Sequence, residues 1–120
     1  MPRERDLKLD KYRISGNRYR ELKYFCRQYR EKQSQMQAIA DIMAPLRYGD
    51  AERWEMLQKE LQMIDQAAME TDAEIAGYII KNVADAIPYE YLGVPCSRSA
   101  FFRARKKFFW ILDRKKCGIA

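Results

Sequence analysis

The chain has 120 residues, which is enough for one small domain and too few for two large ones. Hydrophobic residues make up 48% of it and aromatic residues 12%, so a packed core is expected. No run of apolar residues approaches the length of about 18 that a membrane span needs, so none is predicted. The net charge is +6 and histidine is absent, which removes the commonest general base and a common metal ligand and argues against most enzyme classes.

The first third of the sequence predicts a charged arm followed by helix. Residues 1–14 are dense in charge with few apolar anchors, and we interpret them as a basic arm. Ser15, Gly16 and Asn17 supply turn residues and possible N-caps for a helix whose apolar residues recur at helical spacing. These residues are Leu22, Phe25, Cys26 and Tyr29. A second apolar group runs from Met36 to Met43 and stops at Pro45, and residues 46–50 form a connector.

The middle of the chain predicts one long amphipathic helix. Asp50 is its expected N-cap, and positions that alternate in steps of three and four form a heptad seam. The apolar positions of this seam are Trp54, Leu57, Leu61, Ile64, Ala68, Ile75 and Tyr78. A single helix over residues 51–83 is the main expectation. Residues 71–74 also fit a capping box, which leaves open a new helix near Asp72.

Two interpretations of the heptad seam remain open from the sequence. A seam of nearly four heptads suits self-association, so a homodimer or a higher homo-oligomer is expected in the first interpretation. In the second, the same residues form the inner face of an intramolecular helical bundle. Residues 15–70 are assigned to this helical region, and residues 71–120 to a separate C-terminal region.

The C-terminal region has the order of elements of a helix-turn-helix unit. A helix ends at residues 86–88, a short turn covers residues 89–92, and Gly93 supplies the bend. Ser97 can cap a final basic helix that runs to about Lys115. The fold class is therefore all-α, with an N-terminal helix, a long central helix with a heptad seam and a C-terminal helix-turn-helix.

Charge is segregated along the chain, and its basic end points to nucleic acid. Residues 41–97 contain four basic and eleven acidic residues, whereas residues 98–120 contain eight basic and one acidic residue. At 100° per residue, one side of the last helix is apolar and the other is cationic, which base-edge and phosphate contacts require. The predicted DNA-binding residues are Ser97, Arg98, Ser99, Phe102, Arg103, Lys106 and Lys107. Arg103 is predicted to hydrogen-bond the edge of a guanine base, and Lys106 and Lys107 are predicted to bind phosphate groups.

Residues 92–112, LGVPCSRSAFFRARKKFFWIL, resemble the C-terminal segment of small phage and prophage transcriptional regulators of the ArpU and RinA type. Residues 18–29, RYRELKYFCRQY, are similar to the opening of uncharacterised prophage proteins in that group. The resemblance implies a helix-turn-helix like region four of bacterial sigma factors. It also implies binding to double-stranded DNA upstream of a phage late-gene operon, and it leaves contact with host RNA polymerase open.

Two other functions stay in view, and an enzyme is not expected. A small terminase subunit also combines a helix-turn-helix with oligomerising helices, and a protein-interaction module would use the basic helix to bind an acidic partner. The acidic residues Asp65, Glu70, Asp72, Glu74 and Asp85 are interpreted as a solvated face. Three separated cysteines match neither a disulfide framework nor a metal-binding spacing, and no glycine-rich phosphate loop occurs, so we expect no metal and no cofactor. The first residues do not resemble a signal peptide, so we expect a cytoplasmic location.

Overall fold

In the computed structural model the chain is all-α, as predicted, and the structure describes residues 12–41 and 49–118. No strand occurs in these ranges. The helices are α1 (Gly16–Arg27), α2 (Tyr29–Ala40), α3 (Asp50–Thr71), α4 (Ala76–Asp85) and α5 (Arg98–Lys116), with a 3-10 turn at Tyr89–Tyr91 between the last two. Most of the predicted basic arm and most of the predicted connector lie outside the described residues.

Helix α1 begins where the sequence predicts a helix, but it is shorter than the predicted apolar stripe, because Tyr29 is already the first residue of α2. Ser15 is the N-cap, with extended backbone, and its hydroxyl accepts a hydrogen bond of 3.1 Å from the amide of Arg18. The helix buries Leu22, Phe25 and Cys26 on one stripe. It ends at Arg27, and α2 begins after one intervening residue, so the two helices follow each other almost directly.

Helix α3 begins one residue earlier than the capping prediction requires. Gly49 is the N-cap, with a left-handed backbone (φ 89°), and Asp50 is the first helical residue. The prediction of Asp50 as the cap is therefore wrong. Glycine adopts a positive φ without the steric cost that other residues have, and Asp50 and Glu52 in the first turn suit the positive end of the helix dipole.

The predicted continuous helix over residues 51–83 is also wrong, because α3 ends at Thr71. Asp72 has an extended backbone (φ −169°, ψ 108°), and its carboxylate accepts a hydrogen bond of 3.0 Å from the amide of Glu74. The hydroxyl of Thr71 donates to the carbonyl of Ala67 at 2.7 Å rather than capping a new helix. These side-chain bonds to the backbone compete with helical ones, and α4 begins only at Ala76.

The heptad seam faces the chain's own core. Leu61, Ile64, Ala68 and Ile75 belong to the main hydrophobic cluster, and Leu57 is also buried. Trp54 and Tyr78 are partly exposed. The second interpretation of the seam therefore describes this structure, and a self-association face made of these residues is wrong, because most of them are already covered within one chain.

The core lies where α1, α3, α4 and α5 meet, and the packing of α3 against α5 is its most extensive helix contact. The fully buried side chains of α5 are Phe101, Phe108 and Leu112, with Phe109 at 2% exposure. Ion pairs join the end of α5 to two other helices, since Lys115 lies 2.8 Å from Glu70 and Arg18 pairs with Asp113. The buried side chains of α5 fix which side of the helix faces outward. No helix in the described ranges is long and apolar enough to cross a membrane.

Candidate nucleic-acid interface

Contacts in the turn before α5 fix the orientation of this helix relative to the core. Gly93 has a positive φ of 67°, as its predicted role in the bend requires. The hydroxyl of Tyr89 donates to the carbonyl of Cys96 at 2.6 Å, and its ring packs 5.6 Å from that of Phe101. Ser97 caps α5 as predicted, since its hydroxyl accepts a hydrogen bond of 3.1 Å from the amide of Ala100. The first turn of α5 is therefore fixed to the core.

The face of α5 opposite the core carries the residues predicted to bind DNA. At 100° per residue, positions 98, 99, 102, 103 and 106 span about 140° of the helix surface, and position 107 lies at its border. The exposed members are Arg98, Ser99, Phe102, Arg103 and Lys106, and Ser97 is exposed at the cap. Lys107 is partly buried. The structure thus brings the predicted residues to one surface, which we call the basic face of α5.

Three cations of the basic face are not neutralised by the described part of the chain. Arg103, Lys106 and Lys107 form no ion pair with any residue in ranges 12–41 and 49–118. The single acidic residue of α5, Asp113, lies about two turns beyond Lys106 and pairs with Arg18. The basic face therefore has a positive local potential, which attracts a polyanion.

Arg98 differs from these three because it already has partners. Its guanidinium pairs with Glu90 from the 3-10 turn and lies 5.1 Å from the centroid of the Phe102 ring. Both side chains of the ion pair are more than half exposed, and exposed pairs contribute only about 0–1 kcal/mol. A phosphate could replace the Glu90 carboxylate with little loss of free energy. The ion pair therefore positions Arg98 and leaves it able to bind a phosphate.

Sequence reasoning missed Arg105, which has a structural role. Its Nε donates to Asn82 Oδ1 at 2.7 Å, and its Nη1 donates to the Tyr19 hydroxyl at 2.8 Å. The guanidinium also lies 4.9 Å from the centroid of the Phe109 ring. The signal was present in the spacing, because residue 105 is four positions from both Phe101 and Phe109 and so points toward the core.

Most aromatic residues of α5 pack against other side chains. Phe101, Phe108 and Phe109 are buried, and Trp110, which the helix projection places on the outer side, packs 5.4 Å from the ring of Tyr12. Phe102 is the exception, with 38% of its surface exposed. It is the aromatic residue of α5 that a ligand could reach most easily.

The acidic residues of the middle segment are only partly the solvated face that the sequence predicts. Asp65 accepts a hydrogen bond of 2.7 Å from the Tyr29 hydroxyl and is partly buried. Asp85 binds Arg30 through both carboxylate oxygens at 3.0 Å, which lowers the pKa of Asp85. Asp72 and Glu74 are exposed. Across the described ranges, no three His, Cys, Asp or Glu side chains are grouped closely enough to bind a metal ion.

The three cysteines are free thiols in three different environments: Cys26 is buried, Cys96 is partly buried and Cys117 is exposed. Burial raises the pKa of the Cys26 thiol to about 12, so this thiol stays protonated at neutral pH. Cys26 packs in the core as a small apolar residue.

Comparisons of the chain with protein-family models, with curated proteins and with solved structures give no match.

Proposed function

We propose that the protein is a DNA-binding transcription regulator of the phage or prophage type, which inserts α5 into the major groove. The observation that supports this most strongly is the basic face of α5, where Arg103, Lys106 and Lys107 have no acidic partner in the described ranges. The opposite face of the same helix is anchored in the core. A helix with one buried side and one cationic side is what a recognition helix requires.

The order of elements supports insertion by the N-terminal half of α5. Helix α4, the 3-10 turn, the bend at Gly93 and α5 follow one another as in a helix-turn-helix unit. The major groove of B-form DNA is wide enough for one α-helix, and recognition helices read base edges with their first turns. Those turns contain Ser99, Arg103 and Lys106, all exposed.

Each exposed side chain has a role that follows from its chemistry. The planar fork of Arg103 can donate two hydrogen bonds to guanine, whereas Lys106 and Lys107 act as point charges near phosphates. Ser97 and Ser99 lie at the N-terminus of α5, where hydroxyl and amide donors suit a phosphate oxygen. Arg98 would exchange Glu90 for a phosphate on binding.

The resemblance of residues 92–112 to regulators of the ArpU and RinA type gives the biological setting of this proposal. It makes late-gene promoters of a phage or prophage the expected targets and host RNA polymerase a further partner, and such a regulator acts in the bacterial cytoplasm. A homodimer would present two recognition helices to two half-sites. Such a dimer would have to form through residues outside the heptad seam, because the seam is mostly buried.

The test is fluorescence anisotropy of a labelled pool of random DNA duplexes, followed by sequencing of the retained DNA. Wild-type protein is compared with Arg103→Glu/Lys106→Glu at salt concentrations of about 50 and 200 mM, between which a protein with several phosphate contacts loses much of its affinity. We expect salt-sensitive binding by the wild type, an enriched sequence motif, and loss of binding in the double variant.

The control is Arg53→Glu/Lys59→Glu, which makes the same change in net charge at two exposed positions of α3. This variant should retain most of the affinity, because it leaves the basic face of α5 intact. Equal loss in both variants would mean that only the total charge matters and would contradict a specific interface. Absence of binding by folded wild-type protein would overturn the proposed function.

A further inference from the structure

A cavity of about 380 Å³ lies between the residues that precede and begin α1 and the side of α5 that carries Phe102 and Lys106. Its walls come from residues 12–19 on one side and from positions 102–109 of α5 on the other. This volume is at the lower end of the range for small-molecule sites. The cavity is thus large enough for a ligand with one or two aromatic rings.

The charged groups that line the cavity are all cations. They are Arg13, Arg105 and Lys106, and no Asp or Glu is among the lining residues. Arg13 and Lys106 form no ion pair within the described ranges. Three positive charges around one concave surface attract an anion, and the concavity strengthens the local potential.

Arg105 is the cation whose geometry is most restricted. Both of its hydrogen-bond partners are neutral, namely the amide oxygen of Asn82 at 2.7 Å and the hydroxyl of Tyr19 at 2.8 Å. Asn82 is itself held, because its amide nitrogen donates to the carbonyl of Ile87 at 2.9 Å. The guanidinium of Arg105 is therefore partly buried and oriented without a carboxylate, a costly arrangement that a bound anion would offset.

The remaining walls of the cavity are mainly aromatic. Tyr12, Tyr19, Phe102 and Phe109 line it, and the ring of Tyr19 packs edge-on to that of Phe109 at 5.1 Å. Aromatic walls favour a flat apolar ligand group, which can stack on one ring or meet another edge-on.

We propose that this cavity binds a small anionic group carried on an aromatic ring. Its phosphate or carboxylate would accept hydrogen bonds from Arg13, Arg105 and Lys106, and its ring would pack against the aromatic walls. Nucleoside monophosphates and aromatic carboxylic acids both have this chemistry, and the experiment distinguishes them.

The cavity shares residues with the basic face of α5, and this gives the ligand a regulatory effect. Lys106 and Phe102 belong to both surfaces, so a bound ligand and DNA would compete for the same side chains. This consequence, unlike ligand binding itself, rests on the proposed function. A ligand that lowers the affinity for DNA must be bound less well in the presence of DNA by the same factor.

The first measurement is isothermal titration calorimetry of the full chain with adenosine monophosphate and, separately, with salicylate. Two half-ligands serve as controls. Adenosine has the aromatic ring but no anionic group, and inorganic phosphate is the anionic group alone. We expect at least one of the two whole ligands to bind with a Kd below about 1 mM, and each half-ligand to bind at least about tenfold more weakly. The tighter binder of the two whole ligands shows whether the site prefers a nucleoside monophosphate or an aromatic carboxylic acid.

Variants then locate the site without relying on DNA. Arg13→Glu should weaken ligand binding at least about tenfold, while Arg13→Lys retains most of it and Lys59→Glu, on the exposed surface of α3, leaves it unchanged. Failure of both whole ligands to bind, equal binding of inorganic phosphate, or unchanged binding in Arg13→Glu would each overturn the proposal. If a ligand binds but the protein has no affinity for DNA, the ligand site stands and only the proposed function is contradicted.

Discussion

The ammonium of Lys32 lies 3.1 Å from the carboxylate of Glu60, and this ion pair joins α2 to α3. Lys32 is 7% exposed, and its ammonium also lies 4.0 Å from the centroid of the Phe25 ring. Glu60→Gln should lower the free energy of unfolding by about 1–2 kcal/mol, because it leaves a buried cation without its counterion. Urea denaturation at pH 7 measures this loss.

Lys32→Met is the matched control for that prediction. Methionine keeps much of the buried volume and removes the charge that needs Glu60, so its free energy of unfolding should stay within about 1 kcal/mol of the wild type. If Glu60→Gln were as stable as the wild type, the pair would contribute nothing and Lys32 would depend on the Phe25 ring alone.

The hydrogen bond from Tyr29 to Asp65 predicts a loss of stability at high pH. Burial, followed by the hydrogen bond and the charge of Asp65, raises the pKa of Tyr29 to about 12. An unfolded tyrosine loses its proton near pH 10, so between about pH 10 and 12 proton loss favours the unfolded state, while below pH 10 the full stability is present. From pH 9 to pH 11 the wild type should lose about 1 kcal/mol more than Tyr29→Phe.

The measurement is urea denaturation of both proteins at the two pH values. Other groups that titrate in this range, including the buried Cys26, are present in both proteins and cancel in the comparison. An equal loss in the two proteins would contradict the raised pKa of Tyr29.

Much of the candidate interface could be predicted from the sequence because α5 is governed by local rules. The 100° periodicity places Phe101, Phe108 and Leu112 inward and Arg103 and Lys106 outward, and the structure has this arrangement. The cap at Ser97 and the bend at Gly93 are also local signals, and both occur.

Two of the errors arise because the outcome depends on contacts between parts of the chain that are distant in sequence. The heptad pattern at Leu61, Ile64 and Ala68 predicts that these residues need a partner, but it does not say whether the partner is a second copy or α5. The role of Arg105 depends on Tyr19, 86 positions away in the sequence, and no spacing rule joins them. The end of α3 at Thr71 is a local effect instead, because it depends on side-chain bonds to nearby backbone groups that compete with helical ones.

Ala86 ends α4 in the left-handed region, with φ 59° and ψ 28°, and its amide donates to the carbonyl of Lys81. A side chain with Cβ is strained in this conformation, whereas glycine adopts it freely. Ala86→Gly should therefore raise the free energy of unfolding by about 0.5–1 kcal/mol despite the greater entropy of the unfolded glycine chain. Thermal denaturation should show a higher midpoint.

The same substitution in ordinary helix has the opposite sign and provides the control. Ala38 is exposed within α2, and Ala38→Gly should lower the free energy of unfolding by about 0.5–1 kcal/mol. If Ala86→Gly were destabilising by a similar amount, the left-handed conformation at the end of α4 would be contradicted.

Two substitutions at Ser97 distinguish its role in the stability of α5 from its proposed contact with DNA. One should lower mainly the stability, and the other mainly the affinity for DNA. Ser97→Ala removes the side-chain acceptor of the hydrogen bond from Ala100, so it should cost about 1 kcal/mol of the free energy of unfolding. Ser97→Asp keeps an N-cap acceptor and adds a negative charge that suits the helix dipole, so its stability should stay near that of the wild type.

For DNA binding the order of these two variants should reverse. The carboxylate of Ser97→Asp stands where we place a phosphate and repels it, so this stable variant should bind duplex DNA several-fold more weakly than the less stable Ser97→Ala, most clearly at about 50 mM salt. Urea denaturation and fluorescence anisotropy on the same preparations give both orders. If Ser97→Asp bound DNA as well as the wild type, the N-terminus of α5 would lie away from the DNA backbone and the insertion geometry would have to change.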